Sequence, residues 1–381
     1  MKLVTVVGAR PQFIKAAPVS RAIRAREHHA RNNLTRITEV LLHTGQHYDD
    51  NMSEVFFRQL DIPKPDYHLG VGSGPHGAQT GEMLSKIEEV LVKERPDLVL
   101  VYGDTNSTLA AALAAAKLNI PVGHVEAGLR GTKQRIPQRW IPEEINRAVT
   151  DHVSSLLFCP TETAVKNLVQ EGIVKGVHLV GDVMYDALLY NVKVANTTSK
   201  ILVRLNLASQ EYYLATVHRA ENTDDLDRLS SILEGFRKIS EAYPVIWPVH
   251  PRTRKVLESS PSTFLRSPLS SGKDARLQLI EPVPYLDMLA LESHARCILT
   301  DSGGVQKEAY WLRVPCVTLR EETEWVETLE LGWNKLVGTN PQAMCEAAHR
   351  PVPPEPSVEP FGNGRTAESV VAVITCASMS L

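Results

Sequence analysis

Short β-branched runs alternate with longer amphipathic segments along this chain, and that alternation narrows the available folds more than any other feature. "LVTVV" (3–7) has the pattern of a buried strand, and "PQFIKAAPVSRAIRAR" after it reads as a helix. "EVLLHTG", "DLVLVYGD", "VGHVEAG" and "LLFCPT" repeat the strand signal. "NMSEVFFRQL", "TGEMLSKIEEVLVKE", "STLAAALAAAKLN" and "PEEINRAVTDHVS" repeat the helical one, and Met83, Leu84, Ile87, Val90 and Leu91 fall on one face of theirs. Continuous apolar strands spaced by helices predict an α/β fold, a doubly wound parallel sheet covered on both faces.

The rhythm restarts after about residue 180. "YYLATVH", "VIWPVHP", "LQLIEPV", "RCILTDSGG" and "PCVTLR" read as strands, and "LDRLSSILEGFRKISEA" as a helix. A chain of 381 residues is too long for one ordinary core. The expectation is two Rossmann-like domains facing across a cleft, 1–182 and 183–365, with "YDALLYNVKVANTTSK" as connector. "RPVPPEPSVEPFGNG" is Pro-rich and irregular, and 366–381 is expected as a helix returning to the domain junction. Open α/β sheets take ligands at the carboxyl ends of their strands.

Composition excludes several functions. A net charge of -3 supplies no basic field for nucleic acid or anionic membrane. No stretch approaches the ~18 apolar residues of a membrane span, and the apolar run at the N-terminus is too short for a signal peptide. Cys159, Cys297, Cys316, Cys345 and Cys376 include no CxxC pair, so they read as reduced thiols of a cytoplasmic protein.

The polar residues cluster where strands end. "GARPQFIK" offers Gly8, Arg10 and Lys15, and it is not GxGxxG, so a dinucleotide fingerprint is absent. His43 and His47 of "HTGQHY" are four apart, but Gly45 and the preceding strand argue against a helical metal pair and for hydrogen-bonding loop histidines. "YGDTNST" ends a strand with Asp104, which is either a functional carboxylate or a helix cap. Glu126 in "HVEAGLR" is costly to bury unless used or paired. Glu143 and Glu144 open a helix, where first-turn acids also match the dipole. "HRAEN" brings His218. Carboxylates and a histidine at strand ends suit proton abstraction and donation on a bound molecule. "HPRT" and "LREETEW" add Arg252 and Arg320. In "TDSGGVQKEA", Ser302, Gly303 and Gly304 offer backbone N–H groups at a helix N-terminus, an anion site or a plain turn. Glu308, about a helical turn further, suits ribose hydroxyls better than phosphate.

Eight stretches in order, "GARPQFIK", "TGQHYD", "YGDTNST", "HVEAGLR", "PEEINRAVTDH", "HRAEN", "HPRT" and "TDSGGVQKEA", resemble the non-hydrolysing UDP-N-acetylglucosamine 2-epimerases over most of the chain. The resemblance implies the glycosyltransferase-B architecture and a cytoplasmic homodimer without NAD or metal cofactor. It implies interconversion of UDP-GlcNAc and UDP-ManNAc by elimination and re-addition of UDP, for cell-surface polysaccharide. By motif, Asp104, Glu126 and Glu143 would be acid/base carboxylates and His218 would assist departure of the diphosphate. Arg10 and Lys15 would be first-loop ligand residues, Ser302, Gly303 and Gly304 the diphosphate cradle, and Glu308 the ribose contact, with Arg252 and Arg320 nearby.

This chain departs from the family pattern in places. "GTKQRIPQRWI" before Pro142 is longer than the usual link, which bears on where Glu143 points. Glu324-Trp325 replaces the commoner Glu-Arg, a form similar to relatives acting on UDP-2,3-diacetamido-2,3-dideoxyglucuronate. Ala78 stands before Gln79 where regulated bacterial members have Arg, so the resemblance does not carry a regulatory site. A hydrolysing epimerase or a glycosyltransferase is a further reading on this fold, and a non-catalytic nucleotide-sugar sensor is another, against which Asp104, Glu126 and His218 speak.

Overall fold

The computed structural model describes residues 1–29, 36–46, 64–131, 141–267 and 276–377. The helix expected at "NMSEVFFRQL", His47, the side chain of Arg10 and most of "GTKQRIPQRWI" lie outside the described residues.

Two compact units are present, Met1–Leu189 with Glu359–Leu381, and Tyr190–Val358. The limits expected from sequence were 182/183 and 365/366. The helix Val183–Thr198 begins at the first expected limit and runs through the observed one between Leu189 and Tyr190, because its start is tied into the first unit. Asp182 N donates to the Phe361 carbonyl at 2.9 Å. The Asp186 carboxylate accepts from Thr366 N at 3.1 Å and Ala367 N at 2.8 Å, capping the last helix, Thr366–Ala377. That helix packs on the helix Arg10–His29.

The first unit is a parallel sheet in the order β3-β2-β1-β4-β5-β6-β7. Its strands are β1 (Lys2–Val7), β2 (Thr38–His43), β3 (Tyr67–His68), β4 (Leu98–Tyr102), β5 (Val122–Val125), β6 (Leu156–Cys159) and β7 (Val177–Leu179). β4 and β5 are buried along their whole length, as strands covered on both faces must be. Val4, Val6, Met83, Ile87, Val99 and Val101 belong to one core cluster.

The second unit is a parallel sheet in the order β10-β9-β8-β11-β12-β13. Its strands are β8 (Tyr213–Thr216), β9 (Val245–Pro248), β10 (Leu277–Ile280), β11 (Cys297–Thr300), β12 (Cys316–Thr318) and β13 (Asn334–Leu336). Its core includes Leu229, Leu233, Phe236, Trp247 and Leu299. All five cysteines are free, with Cys159, Cys297 and Cys316 buried.

The strand order reverses once in each sheet, between β1 and β4 and between β8 and β11. Helices diverge at such a switch and leave a crevice outside the strand ends. The loops there are Gly8–Ala9 and Gly103–Asp104 in the first unit, and Val217–His218 and Asp301–Ser302 in the second.

Candidate active site

In the first unit Gly103 turns the chain out of β4 with φ +63°, a left-handed conformation that glycine adopts without strain. Asp104 follows. It is not the cap: Thr105 caps the helix Asn106–Lys117, and Thr108 completes a capping box. The Asp104 carboxylate is instead held by the Arg147 guanidinium, and its carbonyl accepts from Asn146 at 2.9 Å. Both partners come from "PEEINR".

Glu126 follows β5 with φ +74°, unusual for a residue with a side chain. It is buried, and its carboxylate pairs with Lys15 Nζ from the helix Arg10–His29. The pair answers the burial cost that the sequence raised. Gly103 closes over it: a Cβ there would lie 2.8 Å from Lys15 Nζ and 3.3 Å from Glu126 Oε2. Glu143 is exposed at the start of the helix Pro142–Val153, and its side chain has no hydrogen bond among the described residues. Its neighbour Glu144 is buried and bonds Arg147 at 3.2 Å. Burial pushes the Glu144 carboxyl up, against the opposing charges of Arg147 and Arg130.

His43 is the last residue of β2 rather than a loop residue, and its ring packs on Phe13 and His68. Gln46 accepts from Ser107 Oγ at 2.7 Å. Among the described residues no cluster of His, Cys, Asp and Glu is arranged to hold a metal ion. No described helix is long and apolar enough to cross a membrane.

In the second unit the loops after β8 and β11 are joined by Asp301, which sequence reasoning missed. Its buried carboxylate accepts from the backbone N–H of His218 at 3.1 Å and Arg219 at 3.0 Å, and from Asn222 at 3.2 Å. The His218 ring is exposed, with Nδ1 3.4 Å from Asp301. His250 lies beside it, its pKa lowered by burial and by the charges of His218 and Arg252. Ser302 caps the helix Gly303–Trp311, accepting from Val305 N at 3.5 Å. Neither glycine has positive φ, so the pair is not required by a turn. A Cβ at Gly303 would come no nearer than 3.4 Å to Trp325 Nε1, an ordinary contact. The N–H groups of Gly303 and Gly304 have no acceptor among the described residues, as expected for the first turn of a helix.

Glu308, one turn on, is buried and accepts from Tyr285 Oη at 3.2 Å. Arg320 is buried and bonds Glu324 at 3.3 Å, so that burial, which would raise the Glu324 carboxyl, is outweighed and it titrates below its usual range. Trp325 is buried with Lys307 Nζ 3.9 Å from its ring centroid. Arg252 is half-exposed and engaged by Asp224 at 2.6 and 2.8 Å.

Two parallel sheets of this strand order, with polar groups at both switch points, define an α/β protein of the glycosyltransferase-B type. The family model described as UDP-N-acetylglucosamine 2-epimerase matches residues 29–375. A UDP-N-acetylglucosamine 2-epimerase homolog of Methanococcus maripaludis is 53% identical over 376 residues, 98% of this chain and 99% of that protein. A UDP-2,3-diacetamido-2,3-dideoxy-D-glucuronate 2-epimerase of Pseudomonas aeruginosa is 49% identical over 353 residues, 91% of each. The crystal structure of Methanocaldococcus jannaschii UDP-GlcNAc 2-epimerase in complex with UDP-GlcNAc and UDP matches with a TM-score of 0.84 at 45% identity, over 99% of this chain and 100% of that one. The chain belongs to the UDP-N-acetylglucosamine 2-epimerase family.

Proposed function

We propose that this chain is a non-hydrolysing 2-epimerase that interconverts UDP-GlcNAc and UDP-ManNAc. One observation carries the reading: Asp104 and Glu126 end neighbouring strands of one sheet, each tethered by a cationic side chain. A C2 proton on a sugar has no adjacent carbonyl and is not acidic. Breaking the C1–O bond first leaves C1 oxocarbenium-like and acidifies C2–H. UDP takes the electron pair, a carboxylate takes the C2 proton, and a C1–C2 double bond remains. Re-addition of UDP at C1 and return of a proton to the other face of C2 complete the inversion.

In this reading Asp104, Glu126 and Glu143 are the acid/base groups. Gly303 N–H, Gly304 N–H and the Ser302 hydroxyl hold the diphosphate, His218 assists its departure, and Glu308 accepts ribose hydroxyls. Arg10, Lys15, Arg252 and Arg320 supply positive charge. The Lys15–Glu126 and Arg252–Asp224 pairs mean that those two cations act partly through their partners. A cytoplasmic homodimer that supplies cell-surface polysaccharide synthesis is part of the same proposal.

A second reading is the same chemistry on UDP-2,3-diacetamido-2,3-dideoxyglucuronate. Glu324-Trp325, with Lys307 seated on the indole, and the 49%-identical relative favour it. Incubation with each UDP-sugar in D2O, followed at C2 by NMR, separates the readings. Deuterium at C2 with UDP-ManNAc appearing supports the first, and exchange on the diacetamido uronate alone supports the second. Free ManNAc with UDP indicates a hydrolysing enzyme. Asp104→Asn abolishes exchange and spares UDP binding; exchange near the wild-type rate refutes the role of Asp104.

A further inference from the structure

His124 lies in β5, fully buried, in a strand whose neighbours are apolar. A polar ring there is costly unless both nitrogens are bonded, and both are. Nε2 is 2.8 Å from the Gly103 carbonyl oxygen, and Nδ1 is 2.7 Å from Asp151 Oδ1. A carbonyl only accepts, so Nε2 carries a hydrogen. Asp151 also accepts from Arg130 at 2.8 Å and from Gly128 N at 3.2 Å. Burial would raise the Asp151 carboxyl, but His124 and Arg130 hold it below its usual range. With Arg130 and Gly128 N both donating to it, Asp151 is an ionised acceptor, and Nδ1 donates as well.

What this ring holds is specific. The Gly103 peptide unit precedes Asp104. Gly103 N donates to the Val125 carbonyl at 3.0 Å, and Gly103 O accepts from His124, so two adjacent residues of β5 clamp it from both ends. On the other side, Asp151 grips Gly128 N, two residues beyond Glu126. Gly128 has φ +80°, and a Cβ there would sit 2.4 Å from the Ala164 carbonyl oxygen, so this turn has no slack. Neither His124 nor Asp151 bonds the carboxylates themselves, whose partners are Arg147 and Lys15.

We propose that His124, a buried imidazolium between the Gly103 carbonyl and the Asp151 carboxylate, is the positioning residue that sets the backbone from which Asp104 and Glu126 project. The inference rests on the acid/base reading of those two carboxylates. Displacements of about 1 Å in a reacting group can cost ~100-fold in rate.

Two variants divide the contacts. His124→Asn keeps an amide N–H near the Nδ1 position and loses the Gly103 bond. His124→Gln keeps one near Nε2 and loses Asp151. Each lowers kcat for C2 epimerisation by about 10- to 100-fold. UDP affinity, assigned to groups of the second unit, stays within about twofold by calorimetry. Folded variants with wild-type kcat overturn the proposal, as does a loss of UDP affinity in step with kcat. If the variants fail to fold, 15N NMR of histidine-labelled wild-type protein decides at pH 7. Two protonated ring nitrogens are expected for His124, and an unprotonated imine nitrogen overturns the proposal. That signature needs no substrate. A wild-type protein that exchanges C2–H on no UDP-sugar therefore fails the functional reading and leaves the ring assignment standing.

Discussion

Replacing Lys15 by methionine keeps the length of the side chain and removes its charge. The Lys15 and Glu126 side chains are only 11% and 8% exposed, and Gly103 closes over them. Water is poorly placed to replace the ammonium. Removing one member of a buried pair costs about 3–5 kcal/mol, because the other charge stays buried. The residual exposure favours the lower end, so Lys15→Met is expected to cost about 3 kcal/mol at pH 7. Glu126→Gln leaves an uncompensated ammonium and costs a comparable amount. The double variant buries no charge and recovers about 2 kcal/mol of the summed losses. Two compact units need not unfold together, so a whole-chain melting temperature is the wrong readout. Hydrogen exchange in β4 and β5 reads the local effect, and 3 kcal/mol is an increase of about 100-fold in opening. A single variant within about 0.5 kcal/mol of wild type refutes the reasoning, as does a double variant whose cost equals the sum of the two single costs.

Ser302→Ala removes a helix cap and a hydroxyl facing the proposed diphosphate, and UDP itself should bind about tenfold more weakly by calorimetry. Unchanged UDP affinity returns the glycine pair to an ordinary helix start. Burial pushes the Cys159 and Cys297 thiols up to about 12, and Cys316 is raised further. Iodoacetamide at pH 8 should therefore label Cys345 and Cys376, the two less buried thiols, and spare the other three. Fast native labelling of Cys297, read by peptide mass spectrometry, counts against this. Glu292 is fully buried with neither carboxyl oxygen hydrogen-bonded among the described residues, and burial and the Glu308 charge raise its pKa well above the usual range. The folded state keeps a proton that the unfolded state releases, so its contribution to stability is lost as pH rises above ~4.5. Glu292→Gln should be equal to or less stable than wild type near pH 4 and progressively more stable toward pH 8, by denaturant titration of the second unit. A pH-independent difference refutes the assignment.

Much of the architecture was readable locally. Strands such as "LVTVV" and "DLVLVYGD" announce themselves because a buried parallel strand is apolar on both faces. β3, β7 and β13, of two or three residues each, went unread, since nothing so short displays a period. Asp104 was legible as a polar strand end but not as distinct from a cap. Thr105, one residue on, settles that by bonding Thr108. Glu308 stood out, whereas Asp301, inside the same quoted stretch, did not. Its role exists only because β8 pairs with β11 and brings His218 and Arg219 to it.

The alternation of strand and helix, set by backbone hydrogen bonding and by which side chains tolerate burial, is a property of neighbouring residues. From it alone follow the α/β class, the two halves and the crowding of polar residues at strand ends. The partners of those residues are set by the order in which strands pair. Lys15 meets Glu126 across 111 positions, Arg147 meets Asp104 across 43, and His124 meets Asp151 across 27. No local pattern encodes such meetings. Burial then gives them their energy, since a charge is inexpensive in water and costly inside a sheet.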